Sequence, residues 1–146
     1  MNIDDPLTVS ALHAMLREEY GGCARRSPCG EMVLVDLPGA SYRVVARLSG
    51  RCAVRVGRKV IDGVDWSAPG IARFLLTEHA QLRFGRFGLL GEDLVVEHSL
   101  FAEEVTAANL GRIVRFLHEA AEAAERALEH SALLQVPEPL DDDETF

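Results

Sequence analysis

Arginines recur through the centre of the chain at a spacing that suits an anion-binding surface. Arg43 and Arg47 are four residues apart, as are Arg51 and Arg55, and Arg58 extends the same basic stretch. Successive side chains of a β-strand point to opposite faces, so this spacing predicts that each pair shares a sheet face. A guanidinium is a planar fork of N–H donors that matches carboxylate and phosphate oxygens. We therefore predict an arginine-lined face that receives an acidic or extended polypeptide segment, with candidate binding residues Arg43, Arg47, Arg51 and Arg55.

Two other uses of this face remain open. The arginines could pair with Asp93 and Glu97 of a neighbouring strand, since each cross-strand pair of opposite charge stabilises a sheet by about 0.2–1 kcal/mol. They could instead bind an anionic metabolite or nucleotide, which would make the chain a small regulatory domain. The peptide hypothesis includes the chain's own acidic C-terminal segment as an occupant.

The hexapeptide RFGRFG, residues 83–88, has residue types found in nucleic-acid and phosphate sites. An RNA-recognition strand follows the pattern K/R-G-F/Y-G/A-F-V-x-F/Y. That pattern requires Gly after the basic residue, whereas here Arg83 is followed by Phe84. Alternation places Phe84 and Phe87 on opposite faces, so they do not form one stacking platform. The glycines precede another strand, while a phosphate loop needs a helix N-terminus. The hexapeptide is interpreted as an ordinary strand whose glycines allow a bend or the close approach of another element.

Nucleophiles and metal ligands are scattered. The spacing of Cys23, Cys29 and Cys52 fits no common zinc site, and the five histidines are spread along the chain. The serines lack the G-x-S-x-G surroundings of a nucleophile elbow. We expect no catalytic residues, no metal and no cofactor, although a Cys/His pair assembled in space remains an alternative.

The length and the net charge of the chain argue against further classes of protein. The chain has 146 residues, the size of one domain, and a net charge of −8, which disfavours nucleic-acid binding. We see no apolar run of about 20 residues and no secretory signal, so we expect a cytoplasmic protein with no membrane contact. A single domain is expected over residues 1–135, followed by an acidic, disordered tail over residues 136–146.

Periodicity predicts the elements that position the arginines. Apolar residues at helical spacing indicate helices over residues 6–20 and 67–80 and from Thr106 to about Ser131. Ser67 is expected to cap the second, with Pro69 in its first turn, and Thr106 to cap the third. The polar residues 23–30 indicate a loop. Residues with β propensity and two-residue alternation indicate five strands. The predicted fold is α+β, a five-stranded antiparallel sheet with helices in the order α-β-β-β-α-β-β-α. The strands lie within residues 31–37, 41–48, 52–56, 81–90 and 93–101.

Residues 82–128 resemble the C-terminal half of YbjN-like proteins. They show a strand with a G-x-F-type step, a turn, a strand rich in Leu and Val, and a capped helix rich in Ala, in the sequence LRFGRFGLLGEDLVVEHSLFAEEVTAANLGRIVRFLHEAAEAAERAL. YbjN-like proteins are similar in fold to the class I chaperones of type III secretion. The order of elements from Leu7 to Ser131 agrees with that fold.

The resemblance implies a non-enzymatic protein that forms a homodimer and holds a partner polypeptide. In the secretion chaperones, the second helix and the strand after it build the dimer contact. Carried over to this chain, that contact corresponds to Ile71, Phe74, Leu75, Phe84 and Phe87. The client is not identified by the sequence.

Overall fold

Three α-helices and six strands make up the fold of the residues that the structure describes. The computed structural model describes residues 7–50, 52–65, 67 and 70–129. The helices are α1 (Val9–Tyr20), α2 (Ile71–Gln81) and α3 (Ala107–Glu129). The strands are β1 (Ala24–Arg26), β2 (Met32–Val35), β3 (Val44–Ser49), β4 (Ala53–Ile61), β5 (Arg86–Leu90) and β6 (Asp93–Phe101). They form one antiparallel sheet in the order β1-β2-β3-β4-β6-β5.

The sheet has one strand more than the sequence predicts. The polar segment over residues 23–30 reads as a loop, yet Ala24–Arg26 forms β1, in which Arg25 pairs with Leu34 of β2. Three residues are too few to show an alternating pattern, so β1 is specified by its pairing with β2. The remaining elements follow the predicted α+β order.

Threonine caps set the start of α1 and α3. Thr8 Oγ1 accepts a hydrogen bond from the Ala11 backbone N–H at 3.1 Å, and Thr106 Oγ1 accepts one from Asn109 at 3.1 Å. Such caps satisfy backbone donors that have no partner within the helix. The predicted cap at Thr106 is confirmed, and so is the apolar stripe of α3, whose buried members are Leu110, Ile113, Val114, Leu117, Ala121, Ala124 and Leu128.

The predicted cap of α2 at Ser67 is wrong. Gly70, with φ of 85°, stands at the N-cap and makes no side-chain cap. The Ser67 hydroxyl instead donates to Asp65 Oδ1 at 2.6 Å, which closes a local turn. Pro69, expected in the first turn of this helix, lies outside the described residues.

The two faces of the sheet differ in burial. In β4, Val54, Val56 and Val60 are fully buried, while Arg55 and Lys59 between them are half-buried. The buried side faces the core formed with α1 and α3, which contains Leu12, Leu16 and the stripe of α3. Two-residue alternation thus separates a helix-covered face from an open face.

Arg58 lies on the helix-covered face, apart from the other central arginines. Its side chain is fully buried, Nη1 donates to the His118 carbonyl at 3.0 Å, and Nη2 lies 3.4 Å from Glu122 and 3.5 Å from Glu125. A buried guanidinium is tolerated when carboxylates and carbonyls compensate its lost hydration. Arg58 therefore joins the centre of β4 to α3, and the sequence-based grouping with the basic stretch is corrected.

Gly85 changes the direction of the chain before β5. Its φ of 78° is readily adopted only by glycine, and the strand begins one residue later. The Phe84 ring packs edge-on against His98 and Phe116, with centroids 5.9 and 5.4 Å apart. Phe87 packs against the same helix-covered core. The prediction that the two phenylalanines lie on opposite faces is therefore wrong, because the bend resets the alternation.

Replacing Gly85 by Ala should destabilise the fold. A Cβ at this position would overlap the Glu97 carbonyl oxygen and approach Leu117 Cδ2 to 3.2 Å, in a backbone conformation that alanine disfavours. We expect the free energy of unfolding, measured by urea unfolding, to fall by about 1–3 kcal/mol. Gly88→Ala is the matched control, because its Cβ would meet only Val95 Cγ2 at 3.9 Å. Equal effects of the two changes would contradict a steric requirement at Gly85.

The stability of the fold should depend on the protonation of His118. Burial, and then the neighbouring Arg58, lower the pKa of His118 below its ordinary value of 6.5. The unfolded chain then binds the proton at a higher pH than the folded chain, so this residue makes stability fall as the pH drops through about 6.5. Urea unfolding at about pH 7.5 and 5.5 should show that decrease, and it should be smaller in His118→Gln. An unchanged pH dependence in His118→Gln, with the exposed His79→Gln as control, would contradict this role.

Candidate functional site: an arginine-lined groove on the open sheet face

A groove of about 630 Å³ crosses the open face of the sheet. Its floor includes Val45 of β3, Gly57 of β4 and Val95 of β6. The segment over residues 36–43, which joins β2 to β3, forms one wall, and residues 88–90 of β5 form the other. The absence of a side chain at Gly57 leaves room in the middle of the floor. The volume lies within the range of small-molecule sites, about 300–1,000 Å³.

Three of the four predicted arginines line this groove. Arg43, Arg47 and Arg55 are among its lining residues, and Arg47 lies directly opposite Arg55 in the register of β3 and β4. Arg51 lies outside the described residues. Like charges directly opposite each other destabilise a sheet, so an anion between Arg47 and Arg55 would relieve their repulsion.

Carboxylates neutralise this basic surface only in part. Glu97 Oε1 accepts from Arg86 at 3.0 Å, while its Oε2 lies 3.9 Å from Arg55 Nε, too far for a hydrogen bond. Asp36 pairs with Arg43 at 3.2 Å. Within the ranges that the structure describes, Arg47 makes no ion pair, and Arg55 Nε is buried without a hydrogen-bond partner. The pairing with acidic strand residues that the sequence suggests thus leaves the exposed guanidinium of Arg47 available to a ligand.

One end of the groove is bordered by an ordered polar cluster. The Tyr42 hydroxyl donates to Asp62 Oδ2 at 3.0 Å, and Lys59 Nζ lies 2.7 Å from Asp62 Oδ1 and 5.5 Å from the centroid of the Tyr42 ring. Burial and the hydrogen bond to Asp62 raise the pKa of Tyr42. Hydrogen bonds to Asp62 and Asp93 raise the pKa of Lys59. Both side chains therefore keep their protons near neutral pH, and the charge of Lys59 is compensated by Asp62 and by Asp93, whose Oδ2 lies 3.3 Å from Nζ.

The balance of charge favours an anionic occupant. The side chains of Arg43, Arg47 and Arg55 line the groove together with the carboxylates of Asp36 and Glu97, a difference of about one positive charge, while Lys59 is paired with Asp62 and Asp93. The sequence indicated the arginines through their spacing. It gave no signal for the wall over residues 36–43, which has no regular pattern, and the contribution of Lys59 was missed.

The candidate dimer residues lie around α2 and β5 but differ in exposure. Ile71 is buried in the core of its own chain, and Phe74, Leu75 and Phe87 are half-buried against that core. The Phe84 residue is 48% exposed to solvent. The most exposed apolar side chains of this region, which the sequence analysis did not single out, are Leu76, Leu89 and Leu90.

The described residues assemble no group with the features of a metal site or a nucleophile pair. No three of their His, Cys, Asp and Glu side chains could together hold a metal ion. Cys29 is exposed, and its Sγ lies 3.2 Å from Ser27 Oγ, a contact that lowers the pKa of the thiol. Among the described residues, no Cys or His lines the groove. Within the described ranges, no helix has the length and apolar character to cross a membrane.

Comparison with known proteins relates the chain to others through its fold. No family model and no curated protein matches the sequence. A chain in the crystal structure of the ExsC–ExsE complex matches with a TM-score of 0.64 at 18% identity, over 88% of this chain and 97% of that chain. The Yersinia pestis type III secretion chaperone SycH, in complex with a stable fragment of YscM2, matches with a TM-score of 0.60 at 14% identity, over 80% of this chain and 99% of that chain. The chain thus has the α+β fold of a type III secretion chaperone, with a six-stranded sheet.

Proposed function

We propose that the chain is a non-catalytic protein-binding module, chaperone-like in action, that works as a homodimer and holds a partner polypeptide in the arginine-lined groove. The observation that supports the proposal is an open, basic groove on the sheet. The chain shares its fold with SycH, whose crystal structure is a complex with a fragment of another protein. A closer relationship to YbjN-like proteins belongs to this proposal and rests on the sequence pattern of residues 82–128.

The groove suits an extended segment that carries both acidic and apolar side chains. Its open lining combines the guanidinium groups of Arg47 and Arg55 with the apolar side chains of Leu37, Val45 and Leu90. Charge-assisted hydrogen bonds from guanidinium to carboxylate fix the orientation of a partner, and apolar contacts add area removed from water. An acidic polypeptide segment satisfies both parts of the surface.

The homodimer is proposed to form through α2 and β5. β5 is an edge strand, and one of its long sides has no neighbouring strand within the described sheet. Leu76 on α2 is 73% exposed and Leu89 on β5 is 58% exposed, and the two elements contact each other. Exposed apolar surface of this kind marks interaction sites. Pairing with a second copy would remove both side chains from water, and Phe84 would join the contact.

A small anionic ligand is the second candidate. The groove has the volume of a small-molecule site, and Arg47 lies directly opposite Arg55 in the register of β3 and β4. This alternative predicts that a nucleotide or an acidic metabolite raises the melting temperature, since a ligand that binds only the folded chain stabilises it.

Reversing the charge of Arg47 and Arg55 to Glu should abolish capture of a partner polypeptide while the chain stays folded. The test is affinity capture from the lysate of the source cell, read by mass spectrometry, with each captured protein then purified and titrated at two salt concentrations. Affinity should be lost in the reversal and should fall with salt for the unmodified chain. Arg112→Glu with Arg126→Glu, on the exposed side of α3, makes the same charge change and should retain binding.

Two outcomes would overturn this assignment. If the reversed chain unfolds, the arginines are needed for the sheet and not for a partner. If neither protein captures a partner, while melting temperature rises with added nucleotide or acidic metabolite, the small-ligand function replaces it.

Replacing Leu76 and Leu89 together by Asp should convert the dimer to a monomer. Charges buried at the subunit contact would lack compensating partners, so association should weaken by more than about a hundredfold. Sedimentation equilibrium over a range of concentrations measures the change. Phe101→Asp is the control, because Phe101 is 64% exposed at the far end of β6 and lies on neither α2 nor β5. An unmodified chain that stays monomeric at high concentration would disprove the dimer.

A further inference from the structure

We propose that the chain's own acidic C-terminal segment, residues 137–146, occupies the arginine-lined groove and is displaced when a partner polypeptide binds. The inference rests on the proposed function only for the displacing partner. The contact between the segment and the groove is a separate claim, argued from charge, length and position.

Charge complementarity is the first argument. The segment PEPLDDDETF contains five acidic residues and no basic residue, with the continuous run Asp141, Asp142, Asp143 and Glu144. The groove presents the exposed guanidinium of Arg47, which makes no ion pair among the described residues, and the side chain of Arg55 directly opposite it. Carboxylates are the groups that guanidinium forks bind in bidentate geometry. The segment therefore carries the chemistry that the groove lacks.

The dimensions of the two partners also agree. Arg43, the residue before β3, and Arg47 within it are four residues apart, which corresponds to about 13 Å of extended chain. The first and last residues of the acidic run are three residues apart, or about 10 Å in extended conformation, so the run covers most of that distance. The run is flanked by Leu140 and Phe146, whose side chains can contact the apolar parts of the groove. One extended pass along β3 and β4 thus brings carboxylates to successive arginines.

The end of α3 lies close enough for the segment to reach the groove. Arg58, bonded to Glu125 at 3.5 Å, is in register with Val44, the first residue of β3. The last described turn of α3, which ends at Glu129, is therefore at the end of the sheet where the wall over residues 36–43 lies. The 12 residues from Glu129 to Asp141 can span up to about 40 Å, whereas packed layers are only about 10 Å apart.

Covalent attachment makes even a weak contact effective. A short flexible connection gives an effective concentration of about 1 mM. If the free segment binds the groove with a Kd of about 0.1 mM, roughly nine chains in ten hold it at any time. A partner must then compete with it, and only a segment that binds better than the chain's own will enter.

The test titrates a fluorescein-labelled synthetic peptide of residues 135–146 into three full-length proteins. These are the unmodified chain, a neutral-tail variant with Asp141→Asn, Asp142→Asn, Asp143→Asn and Glu144→Gln, and the neutral-tail variant that also carries Arg47→Glu and Arg55→Glu. Fluorescence anisotropy measures the affinity. The neutral-tail variant should bind the peptide about tenfold more tightly than the unmodified chain, because its groove is vacant. Added Arg47→Glu and Arg55→Glu should abolish binding.

Three results would overturn the proposal: equal affinities of the unmodified and neutral-tail chains, no binding by the neutral-tail chain, or binding that survives the arginine reversal. A second measurement does not depend on the peptide. Backbone amide spectra of the unmodified and neutral-tail chains should differ at Arg47, Arg55 and Val95, and differences confined to residues after 129 would contradict the contact.

The outcomes separate this inference from the proposed function. A chain whose groove binds its own tail peptide but captures no partner keeps the tail contact and loses the partner-binding role. A chain that captures a partner through Arg47 and Arg55, yet shows equal peptide affinity with and without the acidic tail, keeps the function and loses the tail contact.

Discussion

The ion pairs of Arg58 determine how the rest of the molecule is arranged. Placing a guanidinium in the core costs several kcal/mol unless carboxylates and carbonyls replace its hydration. Glu122, Glu125 and the His118 carbonyl supply that replacement at Nη1 and Nη2 from one side of α3, while Nε has no hydrogen-bond partner among the described residues. The helix is thereby fixed in both translation and rotation against the centre of β4, and its apolar stripe meets the valines of the sheet. Apolar contacts alone are less directional and would allow the helix to shift by a turn.

Placement of the helices on one face leaves the other face to the arginines. In β4, the same strand that carries Arg58 inward carries Arg55 and Lys59 outward, because three residues change the face and four residues keep it. Asp36 and Glu97 compensate part of the outward charge, and each of them is shared between two basic partners. A surface with this remaining imbalance favours occupancy by an anion over contact with water alone.

Regular alternation explains what the sequence could predict. Arg43 and Arg47 follow the pattern of β3, and the stripe of α3 follows helical spacing, so face and burial could be inferred for both. The same rule applied to Arg58 would have placed it in the core. An arginine among valines is nevertheless interpreted as a surface residue when its carboxylate partners, Glu122 and Glu125, are distant in sequence.

The remaining differences arise where local pattern gives way to tertiary contact. β1 forms only because β2 offers a partner, and three residues carry no periodicity of their own. At Gly85 a left-handed backbone conformation resets the alternation, which a count of residues along RFGRFG cannot reveal. Ser67 has the side chain of a typical N-cap residue, but its hydroxyl donates a hydrogen bond to the nearby Asp65 carboxylate instead. The groove wall over residues 36–43 is irregular, so its position follows from the sheet it joins.

The lengths of the two edge strands bear on how copies of the chain can associate. β5 has five residues and β1 has three, and the Phe87 N–H of β5 donates to His79 Nδ1 at 3.4 Å. A two-fold pairing of β5 with β5 uses the longer edge of both copies at once, which is the symmetry of a closed dimer. The edges that remain are too short to template another strand, and short edges protect natural sheets from continued growth. Such an arrangement ends at two subunits and resists the head-to-tail addition that produces filaments.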